Sequence, residues 1–174
     1  MAKLIRQSLL ATFVFAGFVL TAQADNPISA ELQNKSGEPD VYRVENEHAA
    51  MRKAVEEARK SVSQFVKALQ HRAAGQTDFE VKKPFVEGKE VEHIWLSDVE
   101  FVGGRLKGKV DNAPVKIHGV KMGQVVSVDP DEISDWAYVE NGKLVGGYTI
   151  RSHYNELTPA QKREFQREAD FKID

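Results

Sequence analysis

Trp136-Ala137-Tyr138-Val139-Glu140-Asn141-Gly142-Lys143-Leu144-Val145-Gly146-Gly147 is the stretch that decides how this chain folds. Asn141-Gly142 at its centre is a two-residue turn in which both positions accept positive φ, the geometry that suits two right-twisted antiparallel strands. Such a turn fixes the register. Glu140 faces Lys143, Val139 faces Leu144, Tyr138 faces Val145 and Trp136 faces Gly147. Side chains alternate along a strand, so Trp136, Tyr138 and Val145 share one face. Gly147 is expected to leave room there for the Trp136 indole against the neighbouring backbone.

Upstream of this hairpin the two-residue period runs back to Phe79. Phe79 and Val81 precede Pro84, which predicts a short edge strand, because proline cannot donate to a ladder. Val91, His93, Trp95, Val99 and Phe101 alternate along residues 91–102. Ile94 and Leu96 lie on the opposite face, so the middle of that strand is expected to be covered on both sides. Gly103-Gly104 turns the chain back through Leu106, Gly108 and Val110. Asp111-Asn112-Ala113-Pro114 turns it again, ahead of Val115 and Ile117 and then of Val125, Val126 and Val128.

Before Phe79 the period is longer. Met51, Val55, Ala58, Val62, Phe65, Val66 and Leu69 recur at three- and four-residue steps and form one apolar stripe over residues 47–71. Asn46 offers an N-cap, and His71, Arg72 and Gly75 mark the other end. Thr158-Pro159-Ala160-Gln161 is a capping box with proline at the first helical position, predicting a short last helix to about Ala169. The fold class is therefore α+β, a long N-terminal amphipathic helix packed on a small twisted antiparallel sheet of five to seven strands, with a short C-terminal helix. Residues 44–174 are read as one such domain. Residues 25–43 are polar, contain Pro27, Gly37 and Pro39, and are read as a flexible lead-in.

Residues 1–24 read as a Sec-type signal peptide. Lys3 and Arg6 supply the positive start, Phe13, Val14, Phe15, Phe18, Val19 and Leu20 the apolar core, and Ala22-Gln23-Ala24 the small-x-small site. Cleavage after Ala24 would leave Asp25 at the new terminus, with no stable membrane anchor and a periplasmic or secreted location.

The 174 residues include no cysteine, which excludes disulfides, thiolate metal sites and cysteine nucleophiles. Lys and Arg number 24 against 26 Asp and Glu, a net charge of −2, and removing the leader makes the chain more acidic still. A nucleic-acid binder needs a basic face, so none is expected as partner. The sequence shows no nucleophile elbow, phosphate-cradling glycine loop, HExxH helix or dinucleotide fingerprint.

Trp136, Tyr138 and Tyr148, with Asp135 and Arg151 beside them, are the residues from which a binding groove is expected. Indole and phenol rings combine contact area with a polar handle. The competing chemistry is acid–base or metal-assisted hydrolysis by His93 or His153 with Asp98 or Asp135, since a carboxylate orients an imidazole. None of the five histidines is spaced for a helical metal pair, and no metal or cofactor is expected. Asp129, Asp131, Asp135 and Glu140 fail the calcium-loop pattern, because Ile133 and Ser134 stand where a ligand and the turn glycine belong.

Phe79 to Phe85 (FEVKKPF), Glu92 to Leu96 (EHIWL), Asn112 to Pro114, Gly123 followed by Val125, Ile133 to Trp136 (ISDW) and Gly146 to Arg151 (GGYTIR) resemble the YegJ-like domain of unknown function 2314 family of bacteria. The likeness runs from the helix near Met51 to about Arg151. Gln124 departs from the pattern, which carries an acidic residue after the glycine. The resemblance implies an α+β domain and brings no activity, cofactor or functional residue with it. The expected function is that of an exported, soluble, non-enzymatic module that binds a protein or peptide, with a homodimer through the long helix as a further possibility.

Overall fold

The computed structural model describes residues 40–174, with side chains from residue 48 onward; the expected leader and most of the expected lead-in lie outside the described residues. Helix α1 (Asp40–Gln70) is followed by strands β1 (Gln76–Glu87), β2 (Glu90–Val102), β3 (Arg105–Val110), β4 (Val125–Val128), β5 (Asp135–Glu140) and β6 (Lys143–Gly146), then by helices α2 (Tyr148–Glu156) and α3 (Pro159–Glu168). Asn46 thus stands inside α1 and does not cap it. The six strands form one antiparallel sheet in the order β4-β3-β2-β1-β5-β6.

Both sheet faces are covered. Ala58, Phe65 and Leu69 of α1 pack on Val81, Ile94, Leu96, Leu106, Trp136 and Tyr138. On the other face Trp95, Ala137, Val139 and Leu144 pack with Ile150 of α2, Phe165 of α3 and Phe171. This double cover is why Ile94, Trp95 and Leu96 are buried in succession along β2. Trp136 locks α1 to the sheet: its Nε1–H donates to the Ala58 carbonyl at 3.0 Å and to Ser61 Oγ at 3.2 Å. Ala58 has no side chain beyond Cβ, which lets helix and indole approach that closely.

The hairpin register is observed as read for Glu140–Lys143, Val139–Leu144 and Tyr138–Val145. Gly147 donates its N–H to the Trp136 carbonyl at 2.8 Å. The space for the indole, however, is made by Gly146. A Cβ there would lie 2.5 Å from Cε3 and Cζ3 of Trp136, whereas one on Gly147 would meet Leu144.

Three elements differ from the sequence reading. β1 is an interior strand, paired to β2 along one side and to β5 along the other. Residues 111–124 form no strand through Val115 and Ile117. Their backbone N–H groups are taken by carboxylates: Glu92 accepts from Val115, Lys116 and Ile117, and Glu87 accepts from His118 and Gly119. Finally, α2 occupies Tyr148–Glu156, so two helices follow the sheet. Gly146 and Gly147, at φ 72 and 63, turn the chain out of β6 directly into α2.

Candidate functional site

FEVKKPF, ISDW and GGYTIR meet at one junction, where β1 and β5 pass beneath the start of α2. Asp135, with no solvent exposure, caps that helix from across the sheet. Its Oδ1 accepts from Trp136 N–H (2.8 Å) and Tyr148 N–H (3.0 Å), and its Oδ2 from Thr149 N–H (2.8 Å) and the Thr149 hydroxyl (2.6 Å). Free N–H groups and the helix dipole make this a natural seat for an anion, and here the chain supplies its own. Burial pushes the Asp135 carboxyl up, against the pull of Thr149 and Lys82.

Lys82 lies beside this cap, also buried. Its Nζ reaches Thr149 Oγ1 at 3.5 Å and stands 5.4 Å from the centre of the Trp95 ring. Desolvation lowers the ammonium to about 8, with Asp135 opposing the shift. Buried Glu80 lies two residues earlier on the same face of β1.

Of the residues from which a groove is expected, Trp136 and Tyr138 stack on the α1 face of β5, ring centres 6.2 Å apart, while Asp135 lies on the other face. Trp136, Tyr138 and Asp135 are core residues. Tyr148 is half-buried with its ring edge-on to Trp136 at 5.7 Å. Arg151 clasps the hairpin end, donating from Nε to the Gly146 carbonyl at 2.9 Å and from Nη2 to the Leu144 carbonyl at 2.6 Å.

The acid–base pairs fare differently. His93 and Asp98 are five residues apart on β2, on the order of 16 Å along a strand. Asp98 is exposed in an ion pair with Lys109 at 2.8 Å. Asp135 has both oxygens occupied by α2 and its own strand. His153 is half-buried on α2, one turn beyond Thr149. Among the described residues no three His, Asp or Glu side chains gather to hold a metal ion, and no helix is long and apolar enough to cross a membrane. A cleft of about 450 Å³ opens where β2 bulges, lined by Arg72, Asp98, Glu100, Lys107 and Lys109. Its Lys109 is paired to Asp98, and Arg72 donates to the Val99 carbonyl at 3.3 Å.

His93 keeps one side in solvent, yet burial of the rest of its ring, then the Lys82 and Arg59 cations, lower it from 6.5 to about 4. The unfolded chain therefore binds a proton that the folded one refuses. Stability present above about pH 6.5 is expected to fall as pH drops toward 4, and His93→Gln to flatten that part of the profile. Urea midpoints collected across this range check it. An unchanged slope in the variant would assign the acid sensitivity elsewhere.

One surface was missed by the sequence reading. β1 is 12 residues long and β5 only six, and their pairing ends at Lys82 opposite Asp135. The Lys82 carbonyl takes the Ser134 N–H at 2.8 Å, which shows that even-numbered residues of β1 point their backbone groups toward β5. Beyond that point the Pro84 carbonyl and the Val86 N–H and carbonyl face a side with no strand among the described residues. Pro84 is tolerated in an interior strand because its missing N–H falls on this open flank. Val86 and its partner Val91 are 69% and 47% exposed on the same ribbon.

A six-stranded antiparallel sheet with helices on both faces, a self-capped polar junction and one open strand flank define a small α+β domain. The chain belongs to the bacterial family described as "Uncharacterized protein conserved in bacteria (DUF2314)", whose profile matches residues 48–173. It is 36% identical over 101 residues to the uncharacterised protein YegJ of Escherichia coli K12, covering 58% of this chain and 65% of that one. It is 34% identical over 136 residues to a protein of Neisseria meningitidis serogroup B named as an ankyrin repeat protein, covering 74% of this chain and 54% of that one. The chain thus spans between about half and two thirds of the length of these relatives. No solved structure matches it.

Proposed function

We propose that the chain is an exported, non-enzymatic domain that captures an extended segment of another protein along the open flank of β1. The observation that carries this reading is the overrun of β1 past β5, which leaves a short row of backbone donors and acceptors at strand spacing. An added strand satisfies such a row, as in other modules that bind by β-augmentation. The other two edges offer less. β6 is bridged by the C-terminal segment, where Leu144 N–H donates to Lys172 and Lys172 N–H to Gly142. β4 has only four residues and ends at Pro130 and the Arg105–Asp129 ion pair.

The leader-like pattern of residues 1–24 supports export, and the net charge of −2 supports a protein over a nucleic-acid partner. The His93–Asp98 distance and the full occupancy of Asp135 leave hydrolysis by those pairs without support.

Val86→Pro deletes the central donor of the flank and places a ring where a partner strand would lie. Peptides selected from a random display library on the wild-type domain are expected to lose at least about tenfold in affinity for this variant. Its thermal transition should hold, because Val86 is exposed. Equal binding to both proteins, measured by fluorescence anisotropy, would reject the open flank as the docking site.

A further inference from the structure

The flank is not chemically neutral. Arg59 of α1 is exposed and donates its Nε–H to the Ile133 carbonyl at 2.8 Å. Ile133 immediately precedes Ser134, the last residue hydrogen-bonded to β1 before the flank opens. The guanidinium therefore stands at the mouth of the flank, on the α1 side of the sheet, with its terminal nitrogens uncommitted among the described residues. Lys83 lies on that same side, its Nζ 5.6 Å from the centre of the Phe85 ring, and makes no ion pair there.

Among the described residues no carboxylate is paired to Arg59 or Lys83, although Glu87 and Glu92 remain ionised nearby. Glu87 and Glu92 hold the backbone of residues 115–119, and burial-opposing hydrogen bonds to those N–H groups keep both below the usual carboxylate range. Asp131 and Glu132 are exposed and form no ion pair with Arg59. The opposite side of the ribbon is apolar: Val86 pairs with Val91, and Pro84 with His93, which stays uncharged at neutral pH.

We infer that the partner segment is an acidic β-strand of another protein, with carboxylates on alternate residues turned to Arg59 and Lys83 and apolar side chains between them turned to Val86 and Val91. This rests on the reading of β1 as the docking edge and adds the charge and the pattern of what docks. The physics is that of a strand addition whose main-chain bonds supply adhesion while the two faces supply selection. Charge-assisted hydrogen bonds from Arg59 to a carboxylate are stronger than neutral ones and are sensitive to salt.

Three short labelled peptides test it, alternating valine with glutamate, with glutamine or with lysine, each titrated against wild type, Val86→Pro and Arg59→Gln/Lys83→Gln. The glutamate peptide is expected to bind wild type on the order of tenfold tighter than the glutamine peptide, and the lysine peptide to bind weakest. The Arg59→Gln/Lys83→Gln protein should lose that preference, and Val86→Pro should lose all three peptides. If the three peptides bind wild type equally and Val86→Pro releases them, the acidic partner is wrong and the docking edge stands. If none binds, or binding ignores Val86→Pro, both fall. Circular dichroism melts of each variant separate lost binding from lost folding.

Discussion

Asp135→Ala is expected to lose on the order of 3–5 kcal/mol of unfolding free energy, a large share of what holds a domain of this size together. The reason is the number of groups that one carboxylate satisfies. Four hydrogen bonds converge on it, three of them from backbone N–H groups that have nowhere else to donate. Tyr148 and Thr149 are the first residues of α2, so their N–H groups are also those a helix leaves unpaired. Removing the carboxylate further strands the buried Lys82 ammonium without its compensating charge. Asp135→Asn should cost less, since one acceptor oxygen survives, and Lys82→Met should be milder in the Asp135→Ala background than in wild type, because the two groups are coupled. Urea unfolding followed by circular dichroism reads the four variants against wild type. A loss within about 0.5 kcal/mol for Asp135→Ala, the range of an ordinary surface change, would show that α2 does not depend on this cap.

The same residue explains where sequence reading stops. Asn141-Gly142 declares its hairpin locally, so the register from Glu140–Lys143 to Tyr138–Val145 follows from the turn alone. The double burial of β2 shows in Ile94, Trp95 and Leu96 standing side by side. The start of α2 has no such local mark. Its cap is Asp135, 13 residues upstream and on another strand, while Leu144 and Val145 just before it continue a strand pattern. A reader sees Gly146-Gly147 as the tail of a hairpin, and only the fold shows it to be the bend into a helix. Lys82 and Lys83 are adjacent and identical in type, yet one is buried under α2 and the other is half-buried on the α1 side, because pleating separates neighbours by face. Pro84 suggested a short edge strand, whereas β1 is a 12-residue interior strand paired on both sides. The proline could not say that the flank is a short overrun of an interior strand, since that depends on where β5 ends. Among the residues of the expected groove, Trp136 is held inward by α1, whose Ala58 leaves room for the indole.

That inward position makes Gly146→Ala the second severe substitution, with an expected loss of about 2–5 kcal/mol. Two costs combine. At φ 72 an L-residue is strained by roughly 1–2 kcal/mol. The new methyl would also collide with the Trp136 carbonyl oxygen and sit 2.5 Å from Cε3 and Cζ3 of its ring. The indole cannot retreat, because its Nε1–H is fixed to the Ala58 carbonyl and its face lies against Phe65, ring centres 5.5 Å apart. Gly142→Ala is the matched control. Its φ is 78, and a Cβ there meets nothing within 4 Å, so it carries the backbone strain without the collision. The difference between the two variants isolates the packing cost. Trp136→Phe in the Gly146→Ala background should recover part of it, since the smaller ring relieves the ring collision but not the one with the residue 136 carbonyl, and the bond to Ala58 is lost as well. Equal losses for Gly146→Ala and Gly142→Ala would mean that α1 and the indole shift together at little cost, and that the contact between helix and hairpin is softer than its geometry implies.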